Sequence, residues 1–438
     1  MQGEEGSRLV AVSGLGAVCG LGWGVDALWA GLRAGRSGIG PFHRFDHARH
    51  RTHLAAEVPE SPEPPGSSGP PADLARSLPG WRRLSIADRF ALFAAGEAVE
   101  RAGLAFPLEA DEAVGVFFGS STGGMFESEL FFADFLRDRR GRLSALASQQ
   151  VNGPGDAVAR HLGVTGPVET LSSACASGAL ALGAALQAVR SGEVEIAIAG
   201  GSDSLCQLTY AGFNALRSVD EVPCRPFRPG RAGMSFGEGA AVLVLEPLER
   251  ALARGAEPLA VLAGAGASCD AHHMTAPDPA GRGAAAALAA ALADAGLPAG
   301  AIDFVNVHGT GTPLNDAAEW KALQEVFGRR AAEIPLIATK ALVGHLLGCS
   351  GSLEAVATIL CLRHGELHPA PGTDEQTDPE QTDPEQTDPD LSAALVVDAP
   401  LPLPGARAAV STSLAFGGSN AALVFSRWEG SRWTDRTA

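Results

Sequence analysis

The sequence predicts an α/β fold built from two similar halves, and three observations carry that expectation. Short apolar runs with strand character alternate with helical patterns along the 438 residues. Hydrophobic residues make up 46% of the chain and charged residues 19%, enough to bury two packed halves. Finally, segments of the first half recur in order in the second. Ala174-Cys175-Ala176-Ser177-Gly178, with a helix running to Arg190-Ser191-Gly192-Glu193, is echoed by Leu347-Gly348-Cys349-Ser350-Gly351 and a helix running to Arg363-His364-Gly365-Glu366. Phe236-Gly237-Glu238-Gly239-Ala240-Ala241 is echoed by Phe416-Gly417-Gly418-Ser419-Asn420-Ala421, and Phe118-Gly119-Ser120 more weakly by His308-Gly309-Thr310. The expected division falls near residue 255, giving halves 1–255 and 256–438.

In chain order, Leu9–Val12 reads as a strand ending in glycines and Val25–Ala34 as the following helix. The Pro/Gly/Ser-rich Ser61–Pro71 reads as a surface loop, because helical patterning resumes at Ser85. Further strands are expected at Val114–Phe118, Glu195–Ala199, Val242–Glu246, Phe304–Val307, Leu336–Ala338 and Leu423–Ser426, and alanine-rich Ala284–Ala291 reads as a helix. Glu-Gln-Thr-Asp-Pro occurs three times in tandem over residues 375–389. Acidic and without apolar residues, that tract has nothing to bury and reads as a surface insertion.

Composition narrows the function. A net charge of −17 argues against a nucleic-acid backbone as partner. No apolar stretch reaches the ~18 residues of a membrane span, and the polar start Met1–Gly6 is unlike a secretory leader, so a cytoplasmic chain is expected. Seven dispersed cysteines without CxxC spacing fit neither a disulfide framework nor a zinc site. Only two of the 33 basic residues are lysines, Lys321 and Lys340.

Several motifs fall away. Gly14-Leu15-Gly16 lacks the third glycine of a dinucleotide fingerprint. Gly119-Ser120-Ser121-Thr122-Gly123 fits a hydrolase elbow but arises easily in a Gly/Ser-rich chain. Adjacent His272 and His273 point apart in extended backbone. Cys175 is stronger, because it precedes a helix whose unpaired amides and positive dipole end favour thiolate. His308 follows a strand in Val307-His308-Gly309-Thr310-Gly311-Thr312-Pro313. His345 reads as lying at the start of the helix that echoes the Cys175 helix. A pseudo-twofold axis would bring the two helix starts, and so Cys175 and His345, together at the centre.

These segments, with Lys340 and His345 in KALVGHLLGCSG and Phe416 in AFGGSN, resemble the β-ketoacyl-acyl-carrier-protein synthases, the elongating ketosynthases of the thiolase superfamily. The resemblance runs from SGLGAV at residue 13 to residue 425. It implies the thiolase fold, five α/β/α/β/α layers, and a homodimer or a heterodimer with a related subunit. It also implies decarboxylative Claisen condensation of an acyl-Cys175 enzyme with malonyl-acyl-carrier-protein. His308 and His345 would stabilise the enolate, and the amides of Cys175 and Phe416 the oxyanion. No cofactor is bound permanently on this reading; phosphopantetheine arrives on the acyl carrier protein. Lys340 is expected to pair with Glu354. Thr310, Thr312 and Thr275 are expected along the pantetheine channel, and Thr122, Phe213, Leu347 and Phe416 around the acyl chain. Arg139, Arg140, Arg225 and Arg228 are candidate carrier contacts. Gly311 stands where serine is common, Ala415 where glycine is usual, implying a stiffer gating loop. Thr122 stands where an apolar residue is usual, which puts long saturated chains in doubt. A non-catalytic chain-length-factor-like partner subunit is the alternative, disfavoured by the intact cysteine and histidines.

Overall fold

Ten strands run along the hydrogen-bonded path of the central sheet, with a two-residue strand, Gly22–Trp23, paired off that path, in the computed structural model, which describes residues 8–59, 83–105, 113–370, 391, 395–396 and 399–429. In chain order they are β1 (Val10–Cys19), β2 (Val114–Gly119), β3 (Val168–Leu171), β4 (Ile196–Asp203) and β5 (Gly239–Pro247), then β6 (Ala260–Cys269), β7 (Phe304–Asn306), β8 (Leu336–Ile337), β9 (Ala408–Leu414) and β10 (Ser419–Ser426). The hydrogen-bonded order is β3-β2-β4-β5-β1 followed by β6-β10-β9-β7-β8. Each half therefore has the same order and the same directions. Its first three strands are parallel and its last two join antiparallel. Val10–Val12 pair with Ala260–Leu262, where the halves meet.

Layering follows from side-chain alternation. Val114, Val116, Val242 and Val244 face an outer core shared with the helices Ile86–Arg101 and Gly153–Leu162. Their strand neighbours Phe117, Ala241 and Leu243 face inward, onto the helices Ser177–Ser191 and Ser350–His364. In the second half Ala409, Leu423 and Phe425 face the same central layer, while Val410 and Val424 meet the outer helices Arg282–Ala295 and Pro313–Phe327. The two halves of the sheet and three helical layers give the five-layer thiolase fold. The Ser350–His364 helix is buried on every face over residues 350–362, which explains why it lacks an amphipathic pattern.

The central helices meet at their N-termini through small residues. A Cβ on Gly178 would lie 2.4 Å from Ser352 Oγ, and one on Gly351 2.8 Å from the Ala179 Cβ. Ala174 and Leu347, equivalent in the echo, both adopt positive φ, 45° and 53°, a conformation L-residues seldom take. The echo is thus geometric as well as sequential.

Several boundaries differ from the sequence reading. β1 continues through Gly14 and Gly16 instead of ending before them, because the Ile86–Arg101 helix lies on them: a Cβ would stand 2.0 Å from Ala98 O and 1.9 Å from Ala94 O respectively. β6 and β9 were not expected; alanine and serine dilute their β signal. Ser85 caps its helix in a reciprocal box with Asp88. Ser61–Pro71 and the tandem repeat at 375–389 lie outside the described residues. Among the described residues no helix is long and apolar enough to cross a membrane.

Candidate active site

Where the halves meet, a cavity of about 250 Å³ opens beside Cys175, with His308, His345, Phe416 and Phe213 in its wall. Cys175 sits in the turn after β3, two residues before the Ser177–Ser191 helix. Strain at Ala174 turns the thiol toward the cavity. Ser177 braces this turn, its hydroxyl donating to Ala174 O at 2.6 Å and accepting from Ser173 N–H at 2.8 Å. The backbone N–H groups of Phe416 and Cys175 favour the charged form of the sulfur. Burial pushes the thiol up to about 11, against the charge of Lys340 and these two amides. Desolvation in the closed centre thus opposes the thiolate that the helix end was expected to favour.

The two imidazoles stand edge to face with ring centroids 5.5 Å apart. His345 Nδ1 accepts from Leu347 N–H at 3.0 Å and lies 3.1 Å from Ser350 Oγ. A backbone amide can only donate, so the His345 proton is on Nε2. His308 Nδ1 lies 3.0 Å from Lys340 Nζ, which also donates to the His308 carbonyl at 2.7 Å and pairs with Glu354. The ammonium fixes the same tautomer in His308. Burial, then the charge of Lys340, holds both imidazoles well below their ordinary pKa. Two neutral Nε2–H donors result. His345 lies five residues ahead of its helix rather than at its start, on a segment bridged to Phe236.

Lys340 and Glu354 are 1% and 2% exposed and form the expected pair. Burial raises Glu354 to about 7, with Lys340 opposing. Glu319 escaped the sequence reading. Its carboxylate accepts His308 N–H at 2.7 Å, Gly309 N–H at 2.9 Å and the Thr412 hydroxyl at 2.6 Å, so it holds the turn that carries His308. No motif marks it among 50 acidic residues. Asp203, equally unforeseen, accepts amides from Ser121, Thr122 and Gly348 and the Ser120 hydroxyl. It ties the turn after β2 to the segment behind His345.

Of the channel residues, Thr310, Thr312 and Thr275 line the cavity, with the first two hydroxyls 2.9 Å apart. Phe213 stacks on half-buried Phe416 at 5.0 Å and 10°. Thr122 and Leu347 do not reach the wall. The Thr122 hydroxyl donates to Asp203 at 2.9 Å. Leu347 packs with Phe42, Tyr210 and Phe236, and its amide rather than its side chain serves the site. Ala415 has φ −135°, which alanine adopts freely. Ser121 donates to Ala174 O at 3.0 Å, a structural role. Arg228 donates to Ala370 O from the interior, so burial removes it as a carrier contact; Arg225 is partly buried and pairs with Asp220, and Arg139 and Arg140 are exposed.

Two matched halves, with a cysteine from one facing two imidazoles from the other, define a condensing enzyme of the thiolase superfamily. Residues 7–251 match the family described as beta-ketoacyl synthase, N-terminal domain, and residues 259–374 its C-terminal domain. The chain belongs to the β-ketoacyl synthase family. It is 36% identical to the 3-oxoacyl-[acyl-carrier-protein] synthase 2 of Synechocystis sp. (strain ATCC 27184 / PCC 6803 / Kazusa), over 96% of this chain and 99% of that one. Among solved structures it is similar to the ishigamide ketosynthase/chain length factor, with TM-score 0.84, 34% identity and coverage of 96% of this chain and 100% of that one. It also resembles a type II ketosynthase solved in complex with its acyl-carrier protein and bound to the hexaketide, with TM-score 0.82, 26% identity and coverage of 97% and 100%.

Proposed function

We propose that this chain is a β-ketoacyl-acyl-carrier-protein synthase acting in a type II fatty-acid, polyketide or polyene system. The observation that carries this reading is the convergence of Cys175 with two Nε2–H imidazoles. In the first stage the Cys175 sulfur attacks an acyl thioester. The amides of Cys175 and Phe416 hold the developing oxyanion, and the thiol proton leaves on the departing pantetheine sulfur. In the second, malonyl-carrier protein loses carbon dioxide, and His308 and His345 donate to its thioester oxygen as the enolate forms. The enolate carbon attacks the acyl carbonyl, a C–C bond forms, and the Cys175 sulfur leaves and is reprotonated.

Residues 1–255 supply the nucleophile on this reading and residues 256–438 both histidines and Lys340. Thr310, Thr312 and Thr275 line the pantetheine path, and Phe213 with Phe416 closes the acyl side. Phosphopantetheine enters on the carrier; no resident cofactor is required. We assign the chain to the cytoplasm, where seven unpaired cysteines are stable. The working unit is a homodimer, or a heterodimer with a related subunit in which this chain is the catalytic partner. Turnover of an acyl- and malonyl-carrier-protein pair tests the assignment. Cys175→Ser should lower it more than about 10³-fold, whereas a chain that only shapes a partner's site would lose nothing.

A further inference from the structure

Four of the chain's 11 histidines, His43, His47, His50 and His53, fall within one short segment remote in function from the cavity. The segment joins the short strands Gly40–Pro41 and Leu54–Ala56, which pair antiparallel. It is anchored at both ends. Phe42 is buried among Tyr210 and Phe236, and Thr52 Oγ1 donates to the Tyr210 hydroxyl at 2.8 Å.

His47 and His53 meet through their Nδ1 atoms, 3.0 Å apart. His47 Nε2 lies 3.0 Å from the Phe42 carbonyl. A carbonyl only accepts, so the His47 proton is on Nε2 and the lone pair of its Nδ1 accepts from His53 Nδ1–H. The ring also stacks on Phe42 with centroids 4.2 Å apart. This is how proteins hold a metal-ligating histidine: one nitrogen fixed by a carbonyl, the other aimed at the ion. His50 turns away, its ring edge on Tyr210.

We propose that His47 and His53 chelate one divalent transition-metal ion through their Nδ1 atoms. Metal–nitrogen bonds of about 2.0–2.1 Å set two nitrogens about 2.9 Å apart at a right angle and about 3.3–3.4 Å apart at the tetrahedral angle, so the hydrogen-bonded separation of 3.0 Å lies within reach of both, and imidazole suits Cu(II), Ni(II) and Zn(II). On binding, the His53 proton moves from Nδ1 to Nε2 through solvent, and both lone pairs turn onto the ion. Among the described residues no group of three ligand side chains converges, so water completes the coordination. The chelate closes residues 47–53 and clips a segment whose anchors pack against Phe236.

Untagged, metal-stripped full-length protein is titrated with Ni(II) by calorimetry, and the one-equivalent Cu(II) complex is examined by electron paramagnetic resonance. The expected result is one site of micromolar affinity and an axial spectrum with two coupled nitrogens. His47→Ala and His53→Ala should each weaken binding at least tenfold, while His43→Ala and His50→Ala bind as the parent does. Circular dichroism confirms that each variant is folded, and carrier-dependent turnover of metal-free His53→Ala should equal that of the parent. Absence of stoichiometric binding below ~100 μM overturns the proposal. Unchanged affinity in folded His47→Ala or His53→Ala overturns it equally, as does loss of the site in His43→Ala or His50→Ala.

Discussion

Each cavity histidine has one ring nitrogen committed to a donor, Leu347 N–H for His345 and Lys340 Nζ for His308. Both therefore face substrate as neutral donors, suited to an enolate oxygen and unsuited to removing the thiol proton. His308→Ala and His345→Ala should each lower malonyl decarboxylation about 10²–10³-fold while acyl-Cys175 still forms, as read by intact mass beside released carbon dioxide. Loss of acylation with decarboxylation intact would reverse the roles. The depressed pKa values have a definite sign. Below the unfolded value of about 6.5 the unfolded chain takes up protons that the folded imidazoles exclude. The pair thus contributes stability above that pH, and the contribution is lost as pH falls. Within the folded enzyme both rings stay neutral through pH 6.5. A kcat/KM profile between pH 5.5 and 8 should show no acid limb near 6.5 that disappears in either alanine variant.

Among the elements, the turn after β2 shows how a local residue choice is read wrongly from sequence and corrected by a partner. Thr122 carries a hydroxyl at a position where resemblance implies contact with the acyl chain, yet that hydroxyl is bound to buried Asp203. Thr122→Val should therefore lower stability by about 1.5–3 kcal/mol, the range for a hydrogen bond to a charged group, and leave chain-length preference unchanged. Thermal unfolding and competition between short and long acyl-carrier proteins check the two parts. Motif residues whose chemistry needs a particular side chain, such as Cys175, His308 and Lys340, were legible in the sequence. Glu319, Asp203 and the Leu347 amide were not. The two carboxylates act on backbone N–H groups and the Leu347 amide on an imidazole, and neither residue type nor spacing marks such a contact with the backbone.

Across the whole molecule, the echoes foretold the repeated topology because close-packed positions demand the same residue twice, as at Gly178 and Gly351, while Ala174 and Leu347 repeat the backbone conformation with different side chains. β6 and β9 stayed hidden, since their alanine, glycine and serine residues carry little β signal. The surface carries its own signal. Leu130, Phe132 and Leu136 on the helix Met125–Asp138 are 48%, 58% and 59% exposed, and Leu143 beyond it 75%. A row of that size is costly to leave in water, and β3 ends the sheet nearby in sequence with Val168 uncovered. Light scattering should give twice the 44.7 kDa of one chain, and Phe132→Glu with Leu136→Glu should give a folded species of half that mass.

The central claim is that Cys175 alone carries the acyl group between the two stages. Intact and peptide mass spectrometry after incubation with an acyl-carrier protein, malonyl-carrier protein being withheld, tests it most directly. The prediction is one acyl group per chain, on the Cys175 peptide, released as β-ketoacyl-carrier protein when malonyl-carrier protein is added. An acyl group on another residue, or condensation by Cys175→Ser at the parent rate, would contradict it.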